Sequence, residues 1–159
     1  MTAGIYWFDS AGNKLKIEYS TEVPPAVGAT WTTVSECKRV ARNPEASDQI
    51  PFTNYESTEK EFRTGLASRG SWDFGANFVP ESASQAAIIA LDSSKGERWW
   101  RITYPKADTT STIAAMEMFK GTVETASIAP PDAEATTPVD FNWTVRAGGG
   151  YTFTPESAS

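Results

Sequence analysis

Ser71-Trp72-Asp73-Phe74-Gly75-Ala76-Asn77-Phe78 decides the fold. Trp72, Phe74, Ala76 and Phe78 fall on one parity, and Asp73, Gly75 and Asn77 fall on the other. This two-residue period belongs to a strand with one face in a core and the other toward water. Burying each large aromatic stabilises by about 1.5–3 kcal/mol, while fixing each backbone residue costs about 1–2 kcal/mol. The strand therefore cannot stand alone, and it needs neighbours.

The residues that follow supply them. Ser82 and Gln85 have capping-box spacing after Pro80. Ala83, Ala86, Ala87, Ile88, Ala90 and Leu91 suit a helix, and Lys95-Gly96 provides a cation and a stop at its C-terminal end. One α-helix over about 82–94 is expected. Glu97 to Tyr104 returns as a strand, with Trp100, Ile102 and Tyr104 opposite Trp99, Arg101 and Thr103, and Pro105 ends it. Ile113 to Ile128 is long enough for one bent strand. In it Met116 and Met118 share one parity and Phe119, Gly121 and Val123 the other, so a bulge near 119–121 is expected to turn both sets to the core. Val139, Phe141, Trp143 and Val145 alternate with Asp140, Asn142, Thr144 and Arg146 as cleanly as the opening stretch.

Toward the N-terminus, Ile5 to Phe8, a turn at 9–13, and the alternation of Leu15, Ile17 and Tyr19 read as a hairpin. A further extended piece runs from Trp31 to Val40. Residues 42–69 lack a period and hold few large apolar residues, among them Ile50, Phe52, Tyr55 and Phe62. This reads as a long arm that orders against a neighbour, with a helical turn near Thr58 to Arg63. Gly148-Gly149-Gly150 frees the backbone before a polar tail. The expected fold is mainly β, a single-domain β-sandwich or barrel with one helix, comprising a domain over 1–150 and a tail over 151–159.

Composition narrows the function. At 159 residues the chain suits one core, and a net charge of −6 opposes tight gripping of phosphates. Cys37 is alone, so no internal disulfide framework exists and a small buried residue in a reducing compartment is expected. The N-terminal residues carry no basic start or long apolar run, and no stretch nears the roughly twenty apolar residues of a membrane helix. A protein kept inside the cell and off membranes follows as the expectation. Histidine is absent, which excludes Ser-His-Asp and Cys-His catalysis and histidine-ligated metal. Gly65 to Ser71 has the look of a phosphate loop but lacks its Lys and leads into a strand. Asp73, Glu97, Glu117 and Asp140 are the carboxylates available for glycoside hydrolysis, although acidic residues on outward strand positions ordinarily serve solubility. Arg98-Trp99-Trp100-Arg101 offers rings for stacking on sugars, so a carbohydrate-binding module stands as the alternative to one Trp in the core and one in a subunit contact. No enzyme, cofactor or metal is expected.

Taken in order, the Trp72 strand, the capped helix, Arg98-Trp-Trp-Arg-Ile-Thr-Tyr-Pro105, the polar loop, Met116-Glu-Met-Phe-Lys-Gly121 and the Trp143 strand resemble the major tail tube proteins of long-tailed bacteriophages of lambda type. The resemblance covers about Thr64 to Val145. It implies a structural virion protein of a siphovirus tail, a shorter member without an Ig-like C-terminal domain, assembled in the host cytoplasm. Copies would form hexameric rings stacked into a tube for DNA ejection, with tape-measure, terminator and tip proteins as partners. Asp73, Asn77, Arg101, Thr103, Glu117, Asp140 and Asn142 become candidate lumen-lining residues. Phe52, Tyr55, Phe62, Trp99, Tyr151 and Phe153 become candidate subunit and ring contacts.

Overall fold

A computed structural model of the chain describes residues 15–20, 30–46, 49–51, 53, 59–60, 62–64, 69–106, 111–134 and 136–158. Ile5 to Phe8, Phe52, Tyr55 and the Gly65 to Ser68 part of the loop-like motif lie outside them. The elements are β1 (Lys16–Ser20), β2 (Thr32–Thr33), β3 (Cys37–Asn43), β4 (Gln49–Pro51), β5 (Phe62–Thr64), β6 (Ser71–Asn77), α1 (Ala83–Ser94), β7 (Glu97–Thr103), β8 (Ser111–Ile113), β9 (Met116–Ala129), β10 (Asp140–Thr154) and β11 (Ser157–Ala158). The fold is mainly β with one helix, as the alternation implied.

Seven strands form one antiparallel sheet in the order β2-β1-β7-β9-β10-β6-β3. Its two edge strands, β2 and β3, are joined by only Val34, Ser35 and Glu36. Three extended residues span at most about 11 Å, whereas six inter-strand steps of about 4.8 Å in a flat sheet would need nearly three times that. The sheet must curl until its edges nearly meet, which gives the barrel-like form. The 34–36 seam is bonded on both sides: Val34 N donates to Ile17 O at 2.8 Å, and Asn77 N donates to Glu36 O at 3.0 Å.

The inner face carries the core. Trp72, Phe74, Ala76, Trp100, Ile102, Phe119, Val123, Phe141, Trp143 and Val145 are all buried, together with Ile17, Tyr19 and Val34. The rings form a connected stack, with Trp72 to Phe119 at 5.1 Å, Phe74 to Trp143 at 5.3 Å and Phe141 to Trp143 at 5.2 Å between centroids. Offset aromatic pairs of this kind add about 0.5–1.5 kcal/mol beyond their buried area.

Helix α1 packs through Ser84, Gln85, Ile88 and Leu91. Ser82 is the N-cap and its hydroxyl accepts from Gln85 N at 3.4 Å, one half of the expected capping box. The other half is replaced. Gln85 is buried, its Oε1 accepts from Val79 N at 2.9 Å, and its Nε2 donates to Asn77 O at 2.8 Å and Ser35 O at 3.2 Å. The amide thus pins the seam to the end of β6, where unpaired backbone groups would be costly.

Four local expectations change. Lys95, not Gly96, takes the left-handed position after the helix, with φ 53°. Thr58 to Arg63 forms no helical turn over its described part, because Phe62–Thr64 is a strand paired with Gln49–Pro51. β9 has no extra residue at 119–121: its register shift falls where Val123 and Thr125 face Val145 and Thr144, and β10 carries the others beside Gly148–Gly150. Met116 and Met118 consequently stay on the outer face. Finally, the chain does not leave the sheet at the glycines, since β10 continues to Thr154 and Ser157–Ala158 pairs with β8.

Candidate functional site

The outer sheet face is built from the strand positions that alternate with the core. Asn77 pairs with Asp140, Gly75 with Asn142, and Asp73 with Thr144, so four of the lumen candidates meet where β6 and β10 run side by side. Asp73 accepts from Thr144 Oγ1 at 2.7 Å and from Asn43 Nδ2 at 2.7 Å. These bonds hold its carboxyl below the usual carboxylate range. Asp140 forms an ion pair with Lys38.

Arg101 and Thr103 belong to a second group. Arg101 pairs with Met118, while Asp140 pairs with Ala129, positions separated by roughly 35 Å of extended strand at about 3.3 Å per residue. Arg101 forms an ion pair with Glu18, which is only 7% exposed, and its guanidinium lies 4.3 Å from the centre of the Trp31 ring. Thr103 Oγ1 donates to Glu18 Oε1 at 3.5 Å. The Trp31 ring and the paired arginine together let a carboxylate sit buried on this face, where alone it would be strongly destabilising.

Glu117 lies on the opposite face. It pairs with Ile102 and keeps the parity of buried Phe119, because no bulge intervenes at 119–121. Its neighbours are tyrosines: burial, then the Glu117 charge, pushes the Tyr104 hydroxyl up to about 12, and Tyr151 shifts upward for the same two reasons. Strand parity alone, counted without an inserted residue, would have placed Glu117 correctly.

Charge on the outer face is largely matched. Lys120 meets Glu97 at 2.9 Å, and Arg146 meets Glu124 at 2.8 Å and Glu45 at 3.4 Å. The face is a mosaic of paired charges instead of an acidic wall. The four strand carboxylates are not gathered into a catalytic pair: Asp73 and Asp140 face outward within their own bonds, Glu97 is ion-paired, and Glu117 faces the other way. Among the described residues no cluster of three His, Cys, Asp or Glu is placed to hold a metal, and no helix is long and apolar enough to cross a membrane. Cys37 is partly buried, and burial followed by the Glu36 charge pushes its thiol up to about 12, which makes it a poor nucleophile.

The candidate contact residues divide. Phe62 is 54% exposed and Phe153 is 53% exposed. Trp99 and Tyr151 are engaged within the chain. A β carbon at Gly150 would lie 2.6 Å from the Trp99 ring, so the β10 backbone lies directly on the indole. Tyr151 sits with Arg42 and Arg69 each 5.1 Å from its ring centre, and Arg42 also covers Trp72. Sequence reading missed this arginine–tyrosine cluster, since its members are separated by most of the chain.

No protein-family model and no curated protein matches the sequence. Solved structures do match in fold. A chain of the anti-feeding prophage cap, a tube-terminating cap, superposes with TM-score 0.65 at 10% identity over 96% of this chain and 94% of that one. A chain of the sheath-tube complex of an extracellular contractile injection system gives TM-score 0.64 at 9% identity over 89% and 88%. The SPP1 tail tube gives 0.63 at 9% identity over 91% and 78%. Phage tail tubes and contractile injection system tubes are thus the structural neighbours of this chain.

Proposed function

We propose that the chain is a structural tube subunit, of the kind that builds the tail of a long-tailed bacteriophage of lambda type. Copies form hexameric rings, the rings stack into a hollow tube, and the genome passes through it on ejection. The observation that carries this reading is a likeness of fold that runs nearly end to end, shared with phage and injection-system tubes alike. Among the described residues the strand carboxylates are not gathered into a catalytic pair. The proposed lumen wall is the outer sheet face bearing Asp73, Asn77, Asp140 and Asn142, with Arg101 and Thr103 toward its far end. Paired charges suit a channel through which a polyanion slides, because they leave few cations to displace the counterions condensed on the phosphates. DNA therefore passes without specific binding, and no cofactor takes part.

The exposed β4–β5 hairpin supports assembly. An isolated two-stranded hairpin is marginal in water, and here all six residues of the two strands are exposed, Ile50 at 55% and Phe62 at 54%. It serves as an arm that settles on the next ring or a neighbouring subunit, with Phe153 as a further contact. Tape-measure, terminator and tip proteins complete the virion tail, which assembles in the host cytoplasm. The tube fold takes in the domain over 1–150 together with the 151–159 tail, whose described residues continue β10 to Thr154 and form β11. Deleting 44–62 and imaging concentrated protein by electron microscopy tests the reading: wild type is expected to give rings or tubes with a central channel, and the deletion is expected to give none. A wild-type chain that stays monomeric at every concentration and temperature would sink it.

A further inference from the structure

One edge of β9 is left without a strand. β7 pairs with β9 only as far as Glu97 and Thr122, and β9 then runs on to Ala129 with β10 on its other side as its one strand partner among the described residues. The end of α1 lies against that edge. Lys95 Nζ donates to Glu124 O at 2.6 Å and to Val123 O at 3.5 Å, the Asp92 carboxylate accepts from the Ala126 backbone N–H, and the two side chains meet at 2.6 Å. One base takes carbonyls and one acid takes an N–H, which are the two functions a paired strand would supply.

A second observation sets these residues apart from an ordinary helix end. Lys95 occupies the left-handed position, with φ 53° and ψ 31°, although Gly is the residue that adopts it without strain and Gly96 is next in the chain. The strained backbone delivers the ammonium to the β9 carbonyls. Beyond the clamp, Ser127 and Ala129 are exposed and Ile128 is 43% exposed, so this end of the strand has the uncovered, partly apolar character that invites pairing.

We propose that Asp92 and Lys95 clamp the open edge of β9 and keep a second copy of this chain from adding a strand there. Charged groups, lysine above all, are the common protection of sheet edges. In this chain they come from the neighbouring helix and bind the edge groups directly.

The test uses the full chain, with sedimentation velocity over a concentration series and thermal unfolding in parallel. Lys95→Gly removes the ammonium and relieves the backbone strain, so it is expected to melt no lower than wild type. It is expected to self-associate at roughly tenfold lower concentration, the scale of one freed charge-assisted hydrogen bond. Asp92→Ala is expected to act in the same direction. Adding Ile128→Lys to Lys95→Gly places a charge on the exposed edge and is expected to return association to the wild-type level. Unchanged association in both clamp variants, with or without lower stability, identifies a plain helix anchor and overturns the proposal; so does a gain that Ile128→Lys does not reverse. Each variant is also read in an Ile50→Ser, Phe62→Ser background, in which tubes are not expected and edge pairing is unaffected, so the proposal stands or falls separately from the tube reading.

Discussion

Strand β6 and the β4–β5 hairpin lie close in sequence and have opposite relations to the rest of the chain. β6 buries Trp72, Phe74 and Ala76 against a stack of rings drawn from β7, β9 and β10. The hairpin joins Gln49, Ile50 and Pro51 to Thr64, Arg63 and Phe62 and leaves all six exposed. Its backbone is paired, while its large apolar side chains, Ile50 and Phe62, stand more than half exposed. On the proposed reading of the hairpin as an assembly arm, stability and the meeting of copies belong to separate segments, and changes in one should leave the other nearly untouched.

The strongest way to break this comparison is to empty the core. Trp143, 1% exposed and stacked on Phe74 and Phe141, is expected to cost about 3–5 kcal/mol on substitution by Ala, read as a shift in the denaturant midpoint. A loss below about 1 kcal/mol would mean that the ring stack is not what holds the sheet. Gly70→Ala comes next. At φ +75° an added β carbon would lie 2.0 Å from Asn43 O, and the strained backbone is expected to cost about 1–3 kcal/mol in the same assay.

Asp73 sharpens the outer face. Because bonds from Thr144 and Asn43 lower its folded pKa, its contribution is present above the unfolded carboxylate pKa and is lost as pH falls through the folded one. Asp73→Asn is expected to lower stability across the neutral range and to leave the most acidic range almost unchanged, so that the acid limb flattens, as followed by urea unfolding at a series of pH values. The smallest effect belongs to the arm. Ile50→Ser with Phe62→Ser is expected to move subunit stability by no more than about 0.5 kcal/mol while abolishing tubes under the electron microscope. A stability loss approaching that of Trp143→Ala would show that the hairpin packs within its own chain and would dissolve the comparison.

What the sequence made legible tracks the same division. Where one face is buried and the other wet, the parity of Trp72 to Ala76, Trp100 to Ile102 and Phe141 to Val145 places each residue correctly. The helix, too, was readable from its cap and its alanines. Parity failed where an added residue was assumed: the expected bulge at 119–121 turned Glu117 outward in the reading, and it faces Tyr104 and Tyr151 in the structure. The hairpin strands and the edge strand β3 bury little, so no period marks them. The extension of β10 past Gly148–Gly150 was hidden because glycines that usually end a strand here accommodate its register shifts. For the outer face, sequence named the residues without their grouping, because only register separates Arg101 and Thr103 from the four that meet on β6 and β10.

The three-residue seam also sets a timetable for synthesis. β1 and the seam leave the ribosome early, yet Tyr19 must wait for Trp100, roughly eighty residues later, and at about 5–20 residues per second that interval is several seconds or more. Through it Ile17, Tyr19 and Val34 have no sheet to enter. β7 gives β1 its partner, but β6 joins β9 only through β10, so closure of the curled sheet is a late event in the birth of each molecule, gated by the arrival of β10, and the N-terminal strands spend the longest time in need of protection by chaperones.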